Sequence, residues 1–225
     1  RVGVTPVRRS RRLSATPRRA GDFALPEGVT FAASPGGFVL SPVAQLNADD
    51  TVRAIVVRGA GRAFSPGFDL KASAGRKMEG VQDWERQMKL QFDFIMQFWY
   101  SPKPTIAAVH GYCIAGAFEL ALACDVTIAA QNTRLGEPEV RFGTGIVAML
   151  LPWVTGPKQA KELLLTGEDK LSADDALRIG IVNQVVPDGE VFDTAMSIAK
   201  SMANAAERSV TFTKRAINET YETMG

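Results

Sequence analysis

The chain has 225 residues, of which 46% are hydrophobic and 22% are charged, and its formal net charge is +2. These proportions are typical of a globular protein with one substantial core, and they exclude a fibrous or wholly disordered chain. Charged residues interrupt every apolar run before it reaches the ~20 residues that a membrane-spanning helix requires. The sequence therefore predicts neither a membrane segment nor a membrane partner.

Cysteine and histidine are too few for the common metal centres. The chain has one histidine and two cysteines, Cys113 and Cys124, which are too far apart in sequence for a CxxC pair. Structural zinc sites need more ligands of this kind, so we predict no metal site. Two cysteines without a pairing pattern also indicate a reducing, intracellular setting, and we expect a cytoplasmic protein.

The first 21 residues form a distinct basic segment. They contain seven arginines and no acidic residue, and subtracting these seven charges from the net charge of +2 leaves −5 for residues 22–225. Pro6 and Pro17 interrupt any amphipathic helix there, and the segment has no aromatic side chain that could stack on bases. We therefore predict a disordered, dispensable tail and no nucleic-acid partner. An arginine-rich transit peptide is the alternative, and it would place the protein in the mitochondrial matrix.

Strands and helices are predicted in alternation from residue 51 onward. Residues 22–46 show only weak periodicity, whereas the β-branched run VRAIVV (52–57) predicts a buried strand. A helix is predicted over 83–99. Its apolar side chains form one stripe of the kind that packs in a core, and they are Trp84, Met88, Phe92, Ile95 and Trp99. The remaining predicted elements are strands at 105–109, 126–130 and 181–187 and helices at 158–167, at 172–180 with a capping box from Ser172, and within 190–221.

The stretch HGYCIAGAFELALACD (110–125) combines a glycine turn with an apolar helix that holds one acid. Gly116 leads into the helix, whose first backbone N–H groups can hold an oxygen that gains negative charge. Glu119 lies in the first helical turn, and a buried carboxylate is costly unless it is paired, protonated or catalytic. A second acid, Glu139, follows in GEPEV (136–140). Each acid alone has an ordinary explanation, as a favourable charge at a helix start or as a surface residue.

A glycine-rich loop, GAGRAFSPGFDLK (59–71), follows the first of these strands. Its glycines permit tight turns and the close approach of a ligand. Directly after Gly67, the N–H of Phe68 can point into a cleft. A plain connecting loop is the alternative for this segment by itself, but the loop and the two acids together favour a functional site.

From about Thr51 to Asn218 the chain resembles the crotonase superfamily, most closely enoyl-CoA hydratases and isomerases. The resemblance lies in the two stretches above and in LGEPEVRFG (135–143), AKELLLTGEDKLSADDALRIGIVNQVV (160–186) and TKRAIN (213–218). It implies an α/β fold in which ββα units repeat in a spiral, with C-terminal helices that assemble homotrimers or homohexamers. We expect residues 22–188 to form this core, with an incomplete or divergent N-terminal unit, and residues 189–225 to form a truncated helical region.

The resemblance also implies a site for an acyl-CoA thioester. The N–H groups of Phe68 and Gly116 would form an oxyanion hole for the thioester carbonyl. Glu119 would act on water and Glu139 on the proton at C2. Other positions of the family's motifs would contact the substrate, and they are Ala63, Ser65, Gly67, Asp69, Leu70, Lys71, Tyr112, Ile114 and Pro138. Coenzyme A enters only as part of the substrate, and no permanently bound cofactor is expected.

Three features of the sequence depart from the family's pattern. The family's glycine triplet is reduced to Ala-Gly-Ala (115–117), and GTGIVAMLLPW (143–153) replaces a longer loop that shapes the acyl pocket. His110 stands where asparagine is common, and we interpret it as a turn residue rather than a base. The substrate's acyl group is therefore left open by the sequence.

The implied function is that of an enoyl-CoA hydratase, which adds water syn to the C2–C3 double bond through a thioester enolate. An isomerase, or other chemistry through an acyl-CoA enolate, is the first alternative, although retention of both glutamates favours hydration. A degenerate, non-catalytic family member whose basic arm binds polyanions is the second. The sequence disfavours a serine hydrolase, because the chain has no GxSxG motif and His110 has no evident acid partner.

Overall fold

The computed structural model describes residues 2–8, 41–68 and 79–224, which form a mixed α/β fold. The strands are β1 (Val2–Arg8), β2 (Val52–Gly59), β3 (Thr105–Val109), β4 (Tyr112–Ile114), β5 (Val126–Ala130), β6 (Arg134–Gly136), β7 (Leu171–Ser172) and β8 (Gln184–Val186). The helices are α1 (Ser41–Ala48), α2 (Val81–Trp99), α3 (Gly116–Ala123), α4 (Leu151–Thr155), α5 (Pro157–Thr166), α6 (Ala173–Arg178), α7 (Val191–Asn204) and α8 (Glu207–Met224). A 3₁₀ helix (Glu139–Phe142) lies between α3 and α4.

Five strands form the main sheet in the order β1-β2-β3-β5-β8. β2, β3, β5 and β8 are mutually parallel, and β1 runs antiparallel to β2 at one edge. Parallel neighbours require crossover connections, which α2 provides between β2 and β3 and α3 provides between β3 and β5. Because parallel strands end at the same edge of a sheet, the loops after β2, β3 and β5 all leave from that edge.

Both faces of the main sheet are buried, which explains the near-continuous apolar sequence of its central strands. Alternate side chains of β2 enter two separate clusters. Ile55 and Val57 pack with residues of α2 and α3, whereas Ala54 and Val56 pack with residues of α7. The α7 residues in that second cluster recur every four positions and include Ala195, Ala199 and Ala203.

The N-terminal strand shows that the prediction of a disordered tail is wrong for residues 2–8. These residues pair with β2, and Val4 and Val7 are 3% and 4% exposed. Val4 joins the cluster on one face of the sheet and Val7 the cluster on the other. The arginine content of the whole segment concealed this short apolar pattern. Residues 9–40, including the rest of the predicted tail, lie outside the described residues.

Most of the predicted elements are confirmed within a few residues. β3 and β5 have the predicted bounds, and Ser172 accepts a hydrogen bond from the Asp175 N–H at 3.1 Å, as the capping box predicts. The apolar stripe of α2, however, is not core along its whole length. Trp84 is 57% exposed, whereas Ile95 is fully buried. A stripe shows which side chains share a helix face, but not how much of that face meets the core.

A second sheet contains three short strands in the order β4-β6-β7. Ser65, in the loop after β2, extends this sheet through an isolated bridge with Cys113. Strands of two or three residues are too short to show periodicity, so the sequence analysis did not predict them. The predicted division of the chain at residue 188 stays a prediction.

Helix α8 is fixed to the main sheet by a buried amine. Lys214 is 9% exposed, and its Nζ lies 2.8 Å from Asp125 Oδ2 and 2.9 Å from the carbonyl oxygen of Phe98. Asp125 also accepts hydrogen bonds from the N–H and the hydroxyl of Thr105. This network joins α8 to the starts of β3 and β5. Within the described ranges, each helix is too short or too polar to cross a lipid bilayer.

Both cysteines are free and buried, at opposite ends of α3. The Cys113 thiol donates to the carbonyl oxygen of Ala117 at 3.4 Å, and Cys124 directly follows the helix. Burial raises the pKa of each thiol above its ordinary value. Neither thiol is therefore prone to ionise in the folded protein.

Whether β1 is part of the folded core can be tested by shortening one of its buried side chains. We expect Val4→Ala to lower the free energy of unfolding by roughly 1–3 kcal/mol, because two buried methyl groups are lost and a cavity remains. Thr5→Ala is the matched control, since Thr5 is only half-buried. Urea unfolding followed by circular dichroism measures both variants. Negligible effects in both would show that residues 2–8 are detached from the core.

Candidate active site

The glycine-rich loop after β2 runs beside β4 and is held there by main-chain hydrogen bonds. The N–H of Phe64 donates to the carbonyl oxygen of His110 at 2.7 Å, and that of Ser65 donates to Tyr112 at 2.9 Å. In the other direction, the N–H of Ile114 donates to the Ser65 carbonyl oxygen at 3.1 Å. The loop therefore has a fixed register along β4.

The His110 side chain holds the same loop. Its Nε2 lies 3.0 Å from the carbonyl oxygen of Gly61. The ring therefore helps to hold the turn in place. This agrees with the interpretation of His110 as a turn residue rather than a base.

These bonds place Gly67 and Phe68 against the start of α3. Gly67 has φ +100°, and a Cβ added there would lie 3.3 Å from the nitrogen of Gly116 and 2.7 Å from the Cβ of Ala115. A Cβ added at Gly116 would overlap the Phe68 ring. The two main-chain segments predicted to form the oxyanion hole therefore lie side by side. The sequence analysis considered only the N–H of Phe68, whereas the structure shows that its ring also covers Gly116.

Ala115 holds a strained turn at the start of α3. Its φ of 60° and ψ of −140° lie outside the regions that L-residues favour, and it is the one non-glycine residue with positive φ in the described part of the chain. Its N–H donates to Gly136 at 2.9 Å, and its carbonyl oxygen accepts from Phe118 at 2.7 Å and from Glu119 at 3.1 Å. These bonds fix the direction of the next N–H, that of Gly116.

Glu119 is buried on α3 and held by the loop that departs from the family's pattern. It is 1% exposed, and its carboxylate accepts hydrogen bonds from Val147 N–H at 3.2 Å and from Ala148 N–H. Burial raises the pKa of Glu119 to about 7, although the two amide donors oppose this, and the charge of Glu139 adds to the rise. Glu119 therefore changes its protonation state near neutral pH.

Two more glutamates reach Glu119 from the segment after β6. Each of Glu119, Glu137 and Glu139 offers a carboxylate oxygen within 4.8 Å of the other two. Glu139 is half-buried at the first position of the 3₁₀ helix, and Glu137 is 1% exposed. Burial, a hydrogen bond with Glu139 and the neighbouring carboxylates raise the pKa of Glu137 to about 11. The site therefore brings together the two predicted acids and a third.

Glu137 and the amide groups of Val147 and Ala148 were not predicted from the sequence. For Glu137, the one available signal was its nearness to Glu139 in sequence, because Pro138 between them has φ −82° and ψ 4° and the segment is therefore not extended. The amide donors carried none, because every residue except proline has the same N–H group.

The other predicted substrate contacts lie partly inside the described residues. Those placed around the loop, β4 and the glutamates are Ala63, Ser65, Gly67, Tyr112, Ile114 and Pro138. Those outside the described residues are Asp69, Leu70 and Lys71. The substrate-binding roles of both groups stay predictions.

A cavity of about 530 Å³ lies under α8 rather than at the glutamates. Its walls include Trp99, Trp153 and Tyr221, whose rings meet edge to face with centroids 5.9 and 6.0 Å apart. Leu122 and Leu150 also line it. Neither the glutamates nor Gly116 belongs to its lining, so the cavity is separate from the glutamate cluster.

The three carboxylates have a spacing that a cation could bridge, and within the described ranges no other group of three His, Cys, Asp or Glu side chains does. A cation would require ionised ligands, whereas burial favours the protonated form of Glu137. The arrangement therefore suits proton transfer better than metal binding, and the absence of a metal site stays a prediction.

The strain at Ala115 can be tested with paired glycine variants. We expect Ala115→Gly to raise the free energy of unfolding by about 1 kcal/mol, because glycine adopts positive φ without steric cost. The control Ala117→Gly, inside α3, should lower it by about 1 kcal/mol. Urea unfolding measures both values. Equal losses in the two variants would show that the turn is unstrained.

Comparisons with known proteins place this geometry in a family. The family model for enoyl-CoA hydratase/isomerase matches residues 39–225. The short-chain-enoyl-CoA hydratase of Clostridium acetobutylicum is 35% identical over 182 residues, which cover 78% of this chain and 67% of that protein. The crotonyl-CoA hydratase of Syntrophomonas wolfei is 34% identical over 187 residues, which cover 80% of this chain and 70% of that protein.

A solved structure agrees with these matches. The crystal structure of an enoyl-CoA hydratase/isomerase from Xanthobacter autotrophicus Py2 has a TM-score of 0.80 and 51% identity, and the match covers 81% of this chain and 68% of that one. The family and the crotonase-like α/β fold predicted from the motifs are thereby confirmed. The chain belongs to the enoyl-CoA hydratase/isomerase family of the crotonase superfamily.

Proposed function

We propose that this protein is an enoyl-CoA hydratase, which adds water syn to the C2–C3 double bond of an enoyl-CoA thioester. The observation that carries the proposal is the pairing of Glu119 with Glu139 at the place where Gly67 meets Gly116. Membership of the family supports an acyl-CoA thioester as the substrate class. Coenzyme A is then part of the substrate and not a separate cofactor.

The main chain at Phe68 and Gly116 supplies the oxyanion hole of the proposed site. Their N–H groups would bind the thioester carbonyl oxygen, with the positive end of the α3 dipole behind them. Charge grows on this oxygen as the enolate forms, and fixed donors stabilise that charge without reorganising. The strained Ala115 turn and the register of the loop along β4 hold both donors in place.

The glutamates supply the proton transfers. Ionised Glu119 takes a proton from water, whose oxygen then bonds to C3, while Glu139 gives its proton to C2. This leaves Glu119 protonated and Glu139 ionised, so one proton must return before the next turnover. The short separation of the carboxylates provides a route for that return. Because the pKa of Glu119 lies at about 7, its basic form is available at neutral pH and is lost in acid.

One observation favours an isomerase as the second candidate. Both oxygens of Glu119 already accept amide hydrogen bonds, which limits the positions left for a water molecule. An isomerase would move a proton between two carbons with a single acid, and Glu139 would serve. The two activities differ in their products, because hydration removes the double bond whereas isomerisation relocates it.

The deciding experiment uses a panel of enoyl-CoA thioesters of different chain lengths. Hydration abolishes the ultraviolet absorbance of the conjugated double bond and yields a 3-hydroxyacyl-CoA that mass spectrometry identifies. A product of unchanged mass would support the isomerase instead. No reaction with any member of the panel would support the non-catalytic alternative.

Exposed apolar side chains support assembly into the proposed homotrimer or homohexamer. They lie on α2 and α8, and they include Trp84 at 57%, Phe212 at 62% and Ile217 at 53% exposure. Sedimentation of the purified protein measures the mass of the assembly. A monomer would exclude this part of the proposal.

The catalytic roles of the acids can be tested by amide substitution. We expect Glu119→Gln and Glu139→Gln each to lower kcat at least about a hundredfold, because each removes a positioned proton carrier. Calorimetry should show little change in the Kd for an acyl-CoA. Glu162→Gln, on the exposed face of α5, is the control and should match the parent. Turnover near the parent rate in either site variant removes that residue from the mechanism.

The oxyanion hole can be tested by separating its N–H groups from the packing over them. Gly116→Ala should impair turnover because the added Cβ overlaps the Phe68 ring, and Phe68→Ala should relieve that overlap in the double variant. Gly116→Pro removes the N–H at a helix position where proline is common, so its cost of about a hundredfold in kcat should persist alongside Phe68→Ala.

Circular dichroism must first show that these variants are folded. Parent-level turnover by a folded Gly116→Pro variant would place the oxyanion hole elsewhere. A double variant no better than Gly116→Ala would show that the Phe68 ring is not what the new side chain meets.

A further inference from the structure

Glu137 is a buried acid that the proposed proton transfers do not use. It is 1% exposed, and its Oε1 has no hydrogen-bond partner among the residues that the structure describes. Within the same residues, Oε2 of Glu139 is also buried without a partner. An unpaired buried charge is costly, so two such oxygens so close to a third carboxylate require an explanation.

The explanation is a proton shared within the cluster. Three carboxylates with oxygens within 4.8 Å of one another cannot all be ionised in a buried site. The donors around them decide which one stays protonated. Glu119 accepts two amide hydrogen bonds that favour its ionised form, whereas Oε1 of Glu137 is buried without a hydrogen-bond donor in the described part of the chain. The proton therefore belongs on Glu137.

We propose that Glu137 is a positioning residue that stays protonated and donates a hydrogen bond to Glu139, which orients Glu139 toward the reacting carbon and stabilises its carboxylate once its proton has moved to C2. The orienting role rests on the proposed function, in which Glu139 transfers a proton to the substrate. Pro138, buried between the two acids, restricts the main chain that joins them. Glu137 thereby supplies the second anchor for Glu139, whose main chain begins the 3₁₀ helix.

The groups around Glu137 are consistent with a neutral acid. Glu119 faces it from α3 and Glu139 from the 3₁₀ helix, and both would repel a negative charge on it. The Cys113 thiol of β4 is buried with a raised pKa and brings no positive charge. Arg141, on the same 3₁₀ helix as Glu139, is paired with Asp169 at 2.5 Å.

The first test compares two substitutions of Glu137. Glu137→Gln keeps a donor of the same shape and should retain kcat within a few-fold. Glu137→Leu removes the donor and should lower kcat by about tenfold or more, the scale of a hydrogen bond to a charged group. It should also move the basic limb of the pH–rate profile, where Glu139 loses the proton that it gives to C2, to higher pH, because the ionised form of Glu139 loses its partner. A merely structural role would lower the amount of folded protein without moving that limb.

The second test needs no activity. The unfolded chain ionises this glutamate near its ordinary pKa of 4.5, whereas the folded protein retains the proton up to about 11. Between pH 8 and 9 the parent therefore releases one more proton on unfolding than Glu137→Gln does. Relative to the variant, the parent's unfolding equilibrium constant should rise by about tenfold per pH unit. Glu119 is ionised in both states in this range and does not contribute.

The two tests separate failure of the inference from failure of the proposed function. Equal pH slopes for the parent and Glu137→Gln would overturn the inference, because Glu137 would then be ionised in the folded protein. Equal losses of kcat in the Gln and Leu variants, with an unmoved basic limb, would overturn the positioning role. If the parent and Glu137→Gln differ in the pH dependence of unfolding but the protein hydrates no enoyl-CoA, the proposed function is overturned. The hydrogen bond from protonated Glu137 to Glu139 would still be supported.

Discussion

Three carboxylates in one buried volume constrain much of the rest of this structure. Like charges at such short range cannot all persist away from water, so the surrounding chain must compensate at least one of them. The loop over 143–150 does so with two amide groups, and it therefore has to lie directly over α3. The segment that follows β6 brings in two further acids, and burial favours the protonated form of one of them, Glu137. That requirement links the positions of α3, the 3₁₀ helix and the loop that follows the 3₁₀ helix.

The parallel sheet explains how distant parts of the sequence meet at these acids. The glycine-rich loop leaves the end of β2, the Ala115 turn follows the end of β3, and the segment with Glu137 follows the end of β5. Because these strands are parallel neighbours, their ends lie at one edge, and each connection adds one component there. The β4-β6-β7 sheet then fixes the register of the components relative to one another.

The sequence predicted those parts of the structure whose signal is local. β3 and β5 are apolar runs bounded by turns, and the capping box at Ser172 is a contact between near neighbours in sequence. Long motifs also identified the family and both catalytic candidates. The N-terminal strand escaped prediction because its partner, β2, lies more than 40 residues away and its own pattern is brief. The hydrogen bonds to Glu119 escaped because they come from main-chain groups, whose positions depend on the whole fold and not on residue type.

The reactivity of the two buried thiols can be used to measure local unfolding of this protein. A thiol reacts with an alkylating reagent only when it is both solvated and ionised, and neither condition holds for Cys113 or Cys124 in the folded state. Cys113 lies next to the glutamates, and Cys124 lines the cavity under α8. The rates at which the two are modified therefore report separately on exposure of the glutamate cluster and on detachment of the C-terminal helix. Since the sequence has no other cysteine, both rates can be read in the unaltered protein.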